Sequence, residues 1–259
     1  MIDWSTPESS HNGRVTLVTG AARGIGLAMA ERFAAEGGLV ACVDISAQRL
    51  APAVASLQAS GAQAQGFVCD VGRRESVQAT MAEIERAWDT PIGVLVNNAV
   101  WARFQPLDEI DEETLDRMFA VGLQGLIWTL QAAAPQMARR GGGKVINLCA
   151  TTALRAINNA IAYSALKAGV LGLTRAAAVE LSPQNIRVNC IVPGMVGTPA
   201  SIAQFDDTTL AVRKSQLPLG RFGEPEEIAA LTAFLASDES SYIQGAAMVA
   251  DGGWTIAAN

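Results

Sequence analysis

Tyr163 and Lys167 stand four residues apart in Tyr163-Ser164-Ala165-Leu166-Lys167, a spacing that puts both side chains on one face of a helix. A phenol titrates near pH ~10, too high for a good base at neutrality, and an ammonium within reach favours the phenolate and lowers that value. Such a pair can move a proton to or from an alcohol or carbonyl oxygen, although Tyr and Lys at this spacing also occur on ordinary solvated helix faces. A second constellation lies near the other end of the chain. Glycines 20, 24 and 26 punctuate Gly20-Ala21-Ala22-Arg23-Gly24-Ile25-Gly26, directly after an apolar run at 14–19. A glycine turn between strand and helix lets the backbone approach a pyrophosphate, and the helix N-terminus adds free N–H groups and a positive dipole end. The spacing is Gly-x-x-x-Gly-x-Gly rather than G-x-G-x-x-G, and a tight strand–helix connection alone could use it. Asp44 closes the next apolar run. A carboxylate there accepts both hydroxyls of an adenosine ribose and repels a 2′-phosphate, so NAD is expected over NADP. Arg23, inside the loop, pulls the other way, because a guanidinium meets phosphate well.

These groups need strands and helices to position them. Apolar runs suited to buried parallel strands occur at 14–19, 39–44, 64–70, 92–97, 143–149, 186–192 and 246–250. Helices are expected after Gly20 to about 37, over 46–60 with Ser46 as cap, over 73–88, over 112–138 with a bend at Pro135, over 160–181 and over 226–236. Residues 193–219 read as a loop with short helical parts. Strands alternate with helices throughout, which means parallel pairing, right-handed crossovers and helices on both faces of one sheet. The expected organisation is α/β, with a flexible tail at 1–13 and a single domain at 14–259.

Bulk properties narrow the function. Half of the 259 residues are hydrophobic and 17% are charged, enough for a sizeable core. The formal net charge is −6 with no basic run, which argues against nucleic acid and anionic membrane surfaces as partners. The apolar stretches break before the ~18 residues of a membrane span, and the start lacks a signal pattern, so a cytoplasmic location is expected. Cys42, Cys69, Cys149 and Cys190 have no C-x-x-C spacing and read as buried hydrophobes in a reducing compartment. His11 is the only histidine, which leaves no material for a histidine triad or a His-rich metal site; no metal is expected.

With Thr19-Gly20-Ala21-Ala22-Arg23-Gly24-Ile25-Gly26 and Tyr163-x-x-x-Lys167 in one chain, the sequence resembles the short-chain dehydrogenases/reductases over residues 14–254. The resemblance implies a single doubly wound Rossmann domain on a parallel seven-stranded sheet. It also implies a nicotinamide dinucleotide, and hydride transfer to or from a small alcohol or ketone with Tyr163 as acid/base. Lys167 would lower the tyrosine pKa and hold the ribose. Cofactor contacts carry over to Gly20, Arg23, Gly24, Ile25, Gly26 and Asp44, and to Asp70 and Val71 at the adenine. They carry over also to Asn97 and Ala99 in Asn97-Asn98-Ala99-Val100, where valine replaces the family's glycine, and to Tyr163 and Lys167. Pro193, Gly194, Val196 and Thr198 correspond to the segment that closes over the nicotinamide. Asp251-Gly252-Gly253 matches the family's C-terminal turn. The resemblance further implies a homotetramer built through the helices at 112–138 and 160–181.

Two positions depart from the family pattern. Ala150 stands thirteen residues before Tyr163, where the family has its catalytic serine, and Gly122 stands where it has an asparagine in the long helix. Thr152, two residues past Ala150 and so on the same strand face, is expected to supply the missing hydroxyl, or failing that Thr151. Gln124 or a water would stand in for the asparagine. Cys149 should point to the other side of the strand. Trp101, Phe104, Leu154, Ile157, Met195 and residues 199–217 are the expected pocket walls. Most are apolar, which suits a small apolar or cyclic alcohol or carbonyl. A cis-dihydrodiol dehydrogenase, a 3-oxoacyl reductase and a non-catalytic dinucleotide-binding protein are the competing readings.

Overall fold

Seven parallel strands form one sheet, which runs from edge to edge through residues 64–68, 39–44, 15–19, 92–97, 143–148, 186–193 and 247–250. The structure, a computed structural model, describes residues 11–203 and 205–257. The strands are β1 Val15–Thr19, β2 Leu39–Asp44, β3 Ala64–Val68, β4 Ile92–Asn97, β5 Gly143–Leu148, β6 Ile186–Pro193 and β7 Ala247–Ala250. Helices α1 Gly24–Ala35, α2 Ala47–Ala59, α3 Arg74–Trp88, α4 Glu112–Phe119, α5 Gly125–Arg139 and α6 Ile161–Leu181 connect them. Two short helices, α7 Pro199–Ile202 and α8 Asp207–Ser215, precede α9 Pro225–Ala236.

Side-chain alternation along the strands feeds two cores. Val18, Cys42, Val94, Val96 and Ile146 pack with Met29 and Phe33 of α1, Leu50 of α2 and Ile228 of α9. Their neighbours Leu17, Ala41, Val43, Leu95 and Val145 pack on the other face with Val77 and Met81 of α3, Met137 of α5 and Ala177 of α6. Both faces are therefore sealed. The strand order reverses between β1 and β4, which opens a crevice at their carboxyl ends, the usual ligand position in such sheets.

Three expectations need correction. The long helix is not one α-helix bent at Pro135: α5 continues through Pro135, and the break is a π-helical turn at Ala120–Gln124 between α4 and α5. The strands expected at 64–70 and 143–149 stop at Val68 and Leu148, because Asp70 turns to accept the Gly72 N–H at 3.0 Å and Ala150 leads into a 3₁₀ turn at Thr151–Ala153. Of the tail at 1–13, residues 1–10 lie outside the described residues, but His11 is fully buried against the Phe33 ring. Its Nε2 lies 3.3 Å from both the Ala233 carbonyl and the Glu36 carboxylate, and burial lowers its pKa. Among the described residues no helix is long and apolar enough to cross a membrane.

Candidate active site

The glycine loop and the turn after β4 are locked together. The Thr19 hydroxyl donates to the Val96 carbonyl at 3.2 Å and accepts the N–H groups of Asn98 and Ala99, both at 3.0 Å. Asn98 Nδ2 donates to the Thr19 and Gly20 carbonyls at 2.9 and 3.3 Å. Gly20 turns at φ +68°, and a Cβ on Gly26 would sit 2.1 Å from the Gly20 oxygen, so a side chain at 26 would force the loop off the helix. No side chain caps the N-terminus of α1. Its first turn, Gly24 to Gly26, whose N–H groups have no partner within the helix, lines a cavity of about 580 Å³.

Of the expected cofactor contacts, Gly20, Arg23, Gly24, Ile25, Gly26, Asp44, Asp70, Val71, Ala99 and Thr198 line this cavity. Asp44 Oδ1 accepts the Ser46 N–H at 2.9 Å and Arg49 Nη2 at 3.4 Å. Its Oδ2 has no partner among the described residues. Asp70 is held by Arg117 Nη1 at 3.0 Å. An uncapped helix end, glycines permitting close approach and a carboxylate with one open oxygen fit the pyrophosphate and ribose of a dinucleotide. Asn97 does not reach the cavity. It is buried beneath it, donating to Asn147 Oδ1 at 2.9 Å and accepting from Thr129 at 2.7 Å, because strand alternation turns it into the sheet and leaves Asn98 at the rim. Trp101 lines the nucleotide cavity rather than the substrate pocket assigned to it.

A second cavity, about 680 Å³, holds Ala150, Thr151, Thr152 and Tyr163 together with Phe104, Ile157, Pro193, Gly194, Met195 and Val196. Ile25 and Thr198 line both cavities, so the two meet there. Phe104 packs on the Tyr163 ring, with centroids 5.1 Å apart. Lys167 Nζ lies 5.7 Å from that ring's centroid and donates to the Leu148 carbonyl at 2.7 Å. Burial brings the lysine down to about 8, with Cys149 and Cys190 opposing. Burial pushes the Tyr163 phenol up, and Cys149 adds to this. The expected lowering of the phenol by Lys167 is absent in the protein alone, where desolvation and then Cys149 raise it. Thr152 Oγ1 is buried without a hydrogen-bond partner among the described residues.

Other expectations change here. Thr152 reaches the cavity because the chain has entered a 3₁₀ turn, not through strand parity. Leu154, just past that turn, is 50% exposed and lines neither cavity. Cys149 also stays out of both cavities; its Sγ lies 3.2 Å from the Lys167 carbonyl. Gln124 is exposed and reaches neither cavity. A Cβ on Gly122 would lie 2.7 Å from Leu166 Cδ2, so Leu166 occupies the space an asparagine would need. Among the described residues no group of three or more His, Cys, Asp or Glu side chains could hold a metal ion.

The sequence reading missed several lining residues. Arg49 and Arg117 act through the two acids, and only Arg49 is near its acid in sequence. Phe205, Val212 and Arg213 fall within the segment 199–217 already expected to wall the pocket. Phe222 and Trp254 come from beyond it, and Trp254 follows the Asp251-Gly252-Gly253 turn closely enough to have been suspected.

The chain is similar to known proteins over nearly its whole length. The family model described as enoyl-(acyl carrier protein) reductase matches residues 20–255. A D-threitol dehydrogenase of Mycolicibacterium smegmatis is 39% identical over 245 residues, 95% of this chain and 94% of that protein. Dehydrogenase/reductase SDR family member 4 of Oryctolagus cuniculus is 36% identical over 93% of each chain. The crystal structure of a gluconate 5-dehydrogenase from Burkholderia cenocepacia, in complex with NADP and tartrate, superposes with a TM-score of 0.91 at 31% identity, covering 97% of this chain and 98% of its own.

Proposed function

The chain belongs to the short-chain dehydrogenase/reductase family and is a dinucleotide-dependent oxidoreductase, and from that premise we propose that it transfers hydride between NAD(H) and a small secondary alcohol or ketone. The observation that carries the reading is the meeting of the two cavities at Ile25 and Thr198, with Tyr163 and Thr152 lining the second and the Thr152 hydroxyl just beneath its wall, without a hydrogen-bond partner among the described residues. Bound NAD supplies the hydride acceptor at its nicotinamide ring. Tyr163 Oη takes the proton of the substrate hydroxyl in oxidation and returns it in reduction. Thr152 Oγ1 donates to the same oxygen, where charge develops in the transition state. Lys167 and Asp44 would hold the two riboses of the dinucleotide. Phe104, Ile157, Met195 and Phe222 keep the reacting carbon dry.

The preference for NAD rests on Asp44, whose carboxylate would oppose a 2′-phosphate; Arg49 and Arg23 stand close enough to soften that preference. Most of the second cavity is apolar, which supports a cyclic or apolar substrate. The D-threitol relative supports a second reading, a polyol whose neighbouring hydroxyl helps polarise the reacting oxygen. A homotetramer is part of the proposal, supported by exposed apolar residues on α4 to α6, among them Leu115, Ile127, Ile161 and Val179, and checked by light scattering. The four free cysteines, all buried, fit a cytoplasmic enzyme.

A panel of cyclic alcohols, polyols and their ketones, run with NAD(H) and NADP(H) and followed by absorbance of the reduced cofactor, tests the function. Turnover of a secondary alcohol with NAD is the expected result. Tight dinucleotide binding with no turnover across the panel would favour a non-catalytic role.

A further inference from the structure

The opposite edge of the sheet, where the strands begin, carries a polar cleft of about 330 Å³ that the proposed reaction does not use. Arg14 enters it from the head of β1, Lys144 from the head of β5 and Arg187 from the head of β6. Arg140 enters just past α5, and glycines 93 and 141–143 leave room between them. Four cations share this cleft with one carboxylate, Asp238, in a chain whose formal net charge is −6.

That carboxylate is already divided. It accepts Lys144 Nζ at 2.8 Å and Arg14 Nη2 at 3.2 Å. Among the described residues Arg187 donates to neutral acceptors, the Ser237 and Ile243 carbonyls at 2.7 and 3.5 Å, and Asp238 acts on it only through space. Arg140 makes no ion pair among the described residues. Its guanidinium lies over Gly93, where a Cβ would fall 2.0 Å from Nη1. Arg14 Nη1 is buried with no hydrogen-bond partner among the described residues. The cations also act on one another. Burial and then Arg14 lower the Arg140 pKa. Burial lowers Lys144 against the pull of Asp238, with Arg14 and Arg187 adding to the lowering. Like charges gathered in one partly desolvated cleft repel one another unless an anion offsets them.

We propose that this cleft binds a compact multivalent oxyanion, of phosphate or polycarboxylate type, through Arg14, Arg140, Lys144 and Arg187. Guanidinium forks suit the paired oxygens of either class. The site stands one strand length, on the order of 20 Å, from the glycine loop, so its ligand is separate from the dinucleotide. An occupant would stabilise the fold by mass action.

The test is calorimetric titration of pyrophosphate, and separately of citrate, into the full chain at constant ionic strength with NADH present in excess, so that the glycine loop is filled. Saturable one-site binding of at least one probe is expected, with a rise in Tm. Arg140→Gln and Lys144→Met should each weaken it by at least about tenfold and leave NADH affinity unchanged. Arg140→Gln removes an exposed side chain, so it keeps the test sound if the Lys144 variant folds poorly. Binding of pyrophosphate alone assigns a phosphate ligand, and binding of citrate alone a polycarboxylate. Saturable binding of neither, or unchanged affinity in Arg140→Gln, overturns the proposal. Loss of NADH binding with the anion still bound would count only against the proposed function.

Discussion

The two cavities that meet at Ile25 and Thr198 handle their polar groups in opposite ways. On the nucleotide side the two acids and the rim asparagine are each anchored before a ligand arrives, Asp44 by Ser46 and Arg49, Asp70 by Arg117, Asn98 by the loop carbonyls, and the helix end is left uncapped. On the reaction side the walls are largely apolar, and Thr152 Oγ1 has no hydrogen-bond partner among the described residues. Lys167, behind Tyr163, donates to the Leu148 backbone carbonyl and pairs with no carboxylate among the described residues. A region that grips a ligand of fixed charge gains from locking its own charges in place. A region where charge appears only in the transition state gains from a donor kept free for it.

The comparison predicts that damage on the reaction side cuts turnover and damage on the nucleotide side shifts binding. The largest effect is expected from Tyr163→Phe, which deletes only the proton-carrying oxygen. Steady-state kinetics should show kcat reduced by at least about 10²-fold, with the NAD dissociation constant nearly unchanged. Thr152→Val keeps the shape and removes the free hydroxyl; kcat/KM should fall by at least tenfold, on the scale of a lost oxyanion donor, and Ala150→Ser should restore part of it. Full activity in both Thr152→Val and Thr151→Val would shift the burden to a neighbouring hydroxyl of the substrate. Asp44→Ala should leave kcat near wild type while narrowing the gap between NAD and NADP in paired titrations.

The smallest effect is on stability. Lys167 sits at about 8 in the fold against ~10.4 in an unfolded chain. Between those values the unfolded chain binds the extra proton, so folding stability should rise with pH, while below about 8 the cost of the buried ammonium is fully present. Tyr163 acts in the other sense above pH ~10, where the native phenol keeps a proton the unfolded chain loses. Denaturation midpoints from pH 7 to 10 should climb in the wild type and climb less in Lys167→Met.

Much of the nucleotide side was legible because its constraints are local. Gly20, Gly24 and Gly26 adjoin one turn, and Asp44 ends the next strand, so strand–turn–helix order was enough to place them. The misplacements came from orientation. Asn97 and Asn98 differ by one residue, and strand alternation sends one into the sheet and the other to the rim. Leu154 and Thr152 differ by two, and the 3₁₀ turn at Thr151–Ala153 separates them. Neither Arg117 pairing with Asp70 nor Leu166 filling the space beside Gly122 has a sequence signal, because both depend on packing between distant elements. The cation cleft was invisible for the same reason: Arg14, Lys144 and Arg187 lie far apart in the chain or in different strands, and only the sheet brings those strand heads together beside Arg140 at the end of α5.

Isotope transfer tests hydride exchange between the two cavities most directly. A secondary alcohol or polyol that is turned over, deuterated at its carbinol carbon, is incubated with NAD and the protein, and the reduced dinucleotide is analysed by mass spectrometry. The account predicts one deuterium per reduced cofactor with the wild-type chain and at most a trace of product with Tyr163→Phe. Reduced cofactor without deuterium, or equal yield from the Tyr163→Phe variant, would contradict it.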